Sequence, residues 1–114
     1  MKVLLLGLMM LLLTPFLTAA EKVRASYYHH KFTGRKTANG EVYDPEKLTA
    51  AHRSFKFGTW LRLFCPTTKK SVQVKVNDRG PYSNKFKLDL SEAAARALGI
   101  TPRMGWAWVE VTEK

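Results

Sequence analysis

Three side chains in this sequence have the types and settings for acid–base chemistry: Asp78, Glu41 and His52. Asp78 follows the run Ser71–Asn77, in which Val72, Val74 and Val76 point one way and Gln73, Lys75 and Asn77 the other. If the period of two persists one step further, Asp78 falls on the apolar face at the strand's end. A carboxylate there is partly desolvated, which raises its pKa and favours the protonated form that a general acid needs. Arg79 would act in the opposite sense if it turned toward the carboxylate. Gly80-Pro81 then redirects the chain, as the rim of a site requires. A second reading stays open, in which Asp78 only bonds backbone amides in a turn.

Glu41 follows the Asn39-Gly40 turn and stands at a loop end, where a carboxylate can project into a groove. His52 closes the segment Leu48-Thr49-Ala50-Ala51, whose small residues leave room around an imidazole. Taken singly, either is equally at home as a structural or surface residue. The pair His29-His30 suggests a metal, but neighbours on a strand face opposite sides, so no metal site is expected. No cofactor is expected either. Trp106 and Trp108 share a strand face about 7 Å apart, a spacing suited to successive sugar rings. The alternative is that this face packs beneath a helix. Tyr27 and Tyr28 are further candidates to line a groove.

These residues need elements to hold them. Val23–His30 reads as a first strand, Thr33–Gly40 as a loop, and Leu48–His52 as a short strand. Thr59–Cys65 and Ser71–Asn77, joined by the turn at Pro66–Lys70, read as a hairpin. Ser91 is a good N-cap, Glu92 suits the positive end of a helix, and Ala93–Leu98 continues it until Gly99, with Pro102 beyond. Gly105–Thr112 alternates, with Ala107, Val109 and Val111 on one face and Trp106, Trp108 and Glu110 on the other. Several short strands with one short helix predict a mostly β fold, a small barrel that removes exposed edges by closing its sheet. Periodicity does not supply the strand order.

The first twenty residues stand apart. Lys2 precedes an unbroken apolar run at residues 3–13, and Thr18-Ala19-Ala20 offers a small-residue exit. That is the pattern of a secretory signal, with cleavage expected near Ala20. The run is too short to span a bilayer core of about 30 Å, so no lasting membrane anchor is expected. Residues 21–114 then form one domain with a modest core. Only Lys2 of the 19 Lys and Arg lies in the signal, leaving 18 against 9 Asp and Glu, a net charge of +9. Export and this charge favour an anionic wall polymer over nucleic acid, beside the plain alternative of a solvated basic surface. Cys65 is the single cysteine, so no internal disulfide forms, and its face, shared with Leu61 and Leu63, predicts a buried thiol.

Read in order, these segments resemble the RlpA (rare lipoprotein A) family of lytic transglycosylases. The matching residues are Ala25-Ser26-Tyr27-Tyr28, Gly34–Glu41 with Tyr43-Asp44, and Leu48–His52. They continue with Gly58-Thr59, Val74–Pro81, Asp89-Leu90-Ser91 with Ala93-Ala94, and Leu98-Gly99. The resemblance implies a six-stranded double-psi β-barrel with one short helix. It also implies cleavage of the β-1,4 bond between N-acetylmuramic acid and N-acetylglucosamine, preferentially in peptide-free glycan, leaving 1,6-anhydro ends. Asp78 would be the general acid/base, with Glu41 and His52 as partners. Tyr28, Asn39, Arg79, Trp106 and Trp108 would touch the substrate. A monomer acting on peptidoglycan strands in the periplasm or outside the cell is implied. Departures include His29 for a usual glycine, Thr33 for a common histidine, and Lys85-Phe86-Lys87 for the usual Gly-Arg. The runner-up is an expansin-like module that binds wall polysaccharide without cleaving it.

Overall fold

The computed structural model describes residues 20–27 and 32–114. Six strands run in chain order: β1 (Glu21–Tyr27), β2 (Thr49–Ala51), β3 (Trp60–Cys65), β4 (Lys70–Asp78), β5 (Leu88–Leu90) and β6 (Ala107–Glu113). They close into a barrel in the order β1-β5-β2-β4-β3-β6. Pairing is mixed: β1 runs parallel to β5 and β2 parallel to β4, and the other neighbours are antiparallel. This is the six-stranded closed barrel that the resemblance implied.

The alternation read from the sequence is what fills the barrel. Leu61, Leu63 and Cys65 of β3, Val74 and Val76 of β4, Leu88 and Leu90 of β5, and Val109 of β6 are fully buried. Each buried Leu or Val contributes about 1.5–3 kcal/mol by leaving water. Cys65 is a free thiol inside this core, as its face predicted.

One helix, α1 (Glu92–Ala97), closes an end of the core with Ala94 and Ala95. The Ser91 Oγ accepts the Ala94 N–H at 3.2 Å, as an N-cap does. The same hydroxyl donates to the Lys47 carbonyl at 2.6 Å, tying the helix start to the entry of β2. Gly99, at φ +72°, ends the helix in the left-handed region that glycine tolerates.

Three sequence expectations shift. The first strand begins at Glu21 rather than Val23, because Glu21 and Lys22 pair with Val111 and Glu110 of β6. The strand Leu88–Leu90 is too short to show a period, and sequence pattern missed it. The third shift concerns Asp78. Between Ala50/Val76 and Ala51/Asp78 the register of β2 on β4 slips by one residue, a bulge at Asn77. Asn77 is therefore the buried residue, and Asp78 is half-buried rather than on the dry face.

Candidate active site

The bulge turns Asp78 toward a loop. The Oδ1 of Asp78 accepts the N–H of Ala38 and that of Arg79, each at 2.8 Å. The loop Thr37–Glu41 is knotted on itself. Thr37 Oγ1 donates to Asn39 Oδ1 at 2.6 Å, and the Glu41 N–H donates to the Thr37–Asn39 turn through the same Oδ1 at 3.0 Å. The Asn39 N–H binds the Asn77 carbonyl at 3.2 Å, so the knot sits on the bulge. Gly40, at φ +92°, makes the turn possible.

Asp78 lines an open cavity of about 410 Å³. Its walls include Phe32, Tyr43 and Tyr82, with Arg35 and Arg79 at its margin. A second carboxylate, Asp89 of β5, lines the same cavity. The register explains why. Ala51 of β2 is the partner of Asp78 on one side and of Asp89 on the other. Two interstrand spacings put the Cα atoms of the two aspartates about 10 Å apart. Ala51, buried against Tyr43 and Phe32, is small enough to leave the space between them open. Ser26 of β1 donates its Oγ to Asp89 Oδ1 at 3.2 Å.

Of the cavities formed by the described residues, that of Asp78 and that of His52 are separate, and Glu41 lines neither. Glu41 lies on the flank of the loop, exposed, and accepts Asn39 Nδ2 at 2.7 Å and Asn77 Nδ2 at 3.4 Å. These two hydrogen bonds, that from Asn39 first, hold its carboxyl below the ordinary value, so it stays ionised. His52 follows β2, and its backbone N–H donates to the Asp78 carbonyl at 3.2 Å. His52 lines a separate pocket of about 260 Å³ with Glu21, Arg53, Ser54 and Lys87. The N–H groups of Ser54 and Phe55 both donate to Nδ1, at 3.1 and 3.2 Å, so Nδ1 carries no proton. Burial, helped by Arg79 and opposed by Glu21, lowers the His52 pKa below 6.5.

Arg79 does not turn toward Asp78. Its Nη1 donates to the carbonyls of Phe55 at 2.8 Å and His52 at 3.2 Å. Its guanidinium also stacks 3.8 Å above the Phe57 ring. It braces the loop after β2 against the turn at Gly80, whose φ of +116° reserves that position for glycine. Asn39 likewise spends its side chain inside the loop. Tyr28, His29 and His30 lie outside the described residues.

Trp106 and Trp108 stand on the outer wall of the barrel, not beneath α1. They remain 39% and 38% exposed. Their rings cross at 75° with centroids 6.0 Å apart. Neither lines the Asp78 cavity. Sequence reasoning missed Asp89 as a site residue. The signal was present in Leu88-Asp89-Leu90, where one carboxylate alternates with two core leucines.

Comparisons with known proteins agree with this architecture. Residues 20–111 match the family described as lytic transglycolase. The chain is 46% identical over 79 residues to the endolytic peptidoglycan transglycosylase RlpA of Haemophilus influenzae, covering 69% of this chain and 28% of that protein. It is 50% identical over 76 residues to the probable RlpA of Treponema pallidum, covering 67% of this chain and 24% of that one. The chain thus spans about a quarter of the length of these relatives. Among solved structures, an expansin of Clavibacter michiganensis superposes with a TM-score of 0.66 at 24% identity, over 83% of this chain and 50% of that one. Cerato-platanin 3 of M. perniciosa gives 0.63 at 14% identity, over 82% and 94%. At those identities the likeness concerns the fold. The chain belongs to the RlpA-like lytic transglycolase family of double-psi β-barrels.

Proposed function

We propose that this chain is an exported barrel that cleaves peptidoglycan strands as an endolytic transglycosylase, preferring peptide-free glycan. The observation that carries the reading is the convergence of Asp78 and Asp89 on one open, aromatic-walled cavity. Aromatic rings suit the apolar faces of sugars, and the carboxyl groups suit a glycosidic oxygen and its neighbouring hydroxyls. The relatives named as peptidoglycan transglycosylases support the substrate class.

In the proposed step, protonated Asp78 donates its proton to the glycosidic oxygen as the bond to the anomeric carbon breaks. The C6 hydroxyl of the same N-acetylmuramic acid attacks that carbon and gives up its proton to the Asp78 carboxylate just formed, which restores the acid. A 1,6-anhydro end forms and no water is consumed. Glu41, held ionised by its asparagine donors, orders the loop that presents the Ala38 N–H to Asp78. His52 and Arg79 hold the other side of the same strand end. Tyr28, Asn39, Trp106 and Trp108 are proposed to contact or order contacts with the strand. Residues 1–20 are proposed to direct export.

Asp89 also favours a second reading. Two carboxyl groups across one cavity can instead activate water, as in the glycoside hydrolases. Digestion of peptide-free glycan followed by mass spectrometry separates the two. Ends one water lighter than reducing ends are expected. Reducing ends would make the protein a hydrolase with Asp89 as base. Binding without new ends would replace both readings with a non-cleaving module.

A further inference from the structure

Trp106 and Trp108 do not form a platform. Two rings crossing at 75° cannot lie flat on successive sugars, and their faces are already taken. The Arg24 guanidinium lies 5.5 Å from the Trp106 centroid and 5.0 Å from that of Trp108. Lys22 Nζ lies 5.4 Å from Trp108. The wall therefore alternates cation and ring. Cation–π contact fixes Arg24 without neutralising it.

Glu110 of β6 stands opposite Lys22 in the pairing of β1 with β6 but is not within ion-pair distance of it. Among the described residues neither Arg24 nor Lys22 forms an ion pair, whereas nearby Lys87 reaches Glu21 at 3.7 Å. The Arg24 Nε is buried without an acceptor. The Nε itself is closed to a ligand, but a guanidinium whose planar fork is held in place with no acidic partner leaves its terminal N–H groups to bind an oxyanion.

The position matters as much as the charge. A second cavity of about 400 Å³ shares Phe32 and Asp89 with the Asp78 cavity and extends to Phe86 and Gly105. The Phe86 ring meets Trp106 edge-on at 6.2 Å. A strand leaving the Asp78 cavity by this route passes Phe86 and arrives at Trp106 and Arg24.

We infer that Arg24, braced between Trp106 and Trp108 and assisted by Lys22, is a subsite for an oxyanion carried on the polymer strand that occupies the cavities. The inference rests on the polysaccharide reading above. The shared chemistry is a carboxylate or phosphate group. A peptide-free peptidoglycan strand offers the first on its muramic acid units, and a phosphodiester wall polymer offers the second.

Binding isotherms on the whole protein test this with three probes: peptide-free muramic acid glycan, poly(glycerol phosphate), and a neutral N-acetylglucosamine hexamer. Arg24→Gln is expected to weaken one of the charged probes about tenfold, the scale of one charge-assisted hydrogen bond. The probe that loses affinity identifies the source. Arg24→Lys is expected to recover only part, since an ammonium keeps the charge but lacks the fork. The neutral hexamer should bind both variants as it binds the parent. Lys69→Gln, the same charge change on the β3–β4 turn, should shift affinity less than about twofold. Equal losses for Arg24→Gln and Lys69→Gln, or no loss for Arg24→Gln, would overturn the subsite. Failure of both the hexamer and the muramic acid glycan to bind the parent protein would instead refute the polysaccharide reading, and poly(glycerol phosphate) would still report on Arg24.

Discussion

The Asp78 cavity and the outer wall at Trp108 both set aromatic rings among charges, but only the cavity brings two carboxyl groups together. In the cavity, Phe32, Tyr43 and Tyr82 surround two carboxyl groups. On the wall, Trp106 and Trp108 surround two cations. The cavity is concave and its aspartates are fixed by strand register, so it can hold a reacting bond in place. The wall sets its cations against rings, the arrangement proposed above to retain a polymer without reacting with it. An aromatic residue in a strand pattern does not reveal which it will be. Its neighbours across the sheet do.

The sharpest way to break this division is at Asp78. Asp78→Asn keeps the acceptor that Ala38 and Arg79 bond to and removes only the transferable proton. The fold should persist while the cleavage rate falls about 10²–10⁴-fold, the usual contribution of a general acid. Steady-state release of glycan fragments measures it. Near-parental turnover would move the acid to Asp89.

A smaller effect is expected on the wall. Trp108→Ala should weaken retention on wall glycan while costing less stability than loss of a core side chain, because the ring keeps 38% of its surface exposed. Chemical denaturation provides the check. A loss of about 3–5 kcal/mol would mean that the ring behaves as core and that the contrast between wall and interior is false.

The smallest effect belongs to His52, which is part of neither surface. Its folded pKa lies below 6.5, so the folded state binds fewer protons than the unfolded one. Stability should be full above pH 6.5 and decline as pH falls from there through the lowered folded value. Protonation at Nδ1 would also expel the Ser54 and Phe55 donors. Melting temperature against pH should show a shallow acid-side slope that His52→Gln flattens. An unchanged slope in that variant would assign the acid sensitivity to other groups.

Much of this was legible in the residues. The alternation of β3, β4 and β6 identified the core, and Ser91 and Gly99 bounded the helix because capping is local chemistry. The pattern at Trp106 and Trp108 placed them off the core face, although it left open what they meet. The bulge at Asn77 was not legible, since a one-residue slip depends on the neighbouring strand. For the same reason the period of two did not carry through to Asp78, which is half-buried at the strand's end. The cavity was hidden because its walls come from segments far apart in sequence. His52 bonds the Asp78 backbone and Glu41 accepts the side-chain amide of Asn77, yet which way each side chain leaves that network is decided by tertiary contacts.

The pairing of β1 with β6 has a consequence for when this protein can exist in folded form. Glu21 lies opposite Val111, and Ala25 opposite Ala107, so the first stave of the barrel is sealed by the last. Until β6 has emerged, β1 can find β5 but leaves its other edge unpaired, and β3 likewise lacks a neighbour. Contacts this distant along the chain form late and slowly. A growing or threading chain therefore has no closed barrel to unfold, and the two aspartates meet across Ala51 in a rigid wall only once the C-terminal strand is home. A protease or a chaperone that reaches the chain before that moment meets an open sheet with two reactive edges. Timing of release, as much as sequence, then governs how much active protein accumulates.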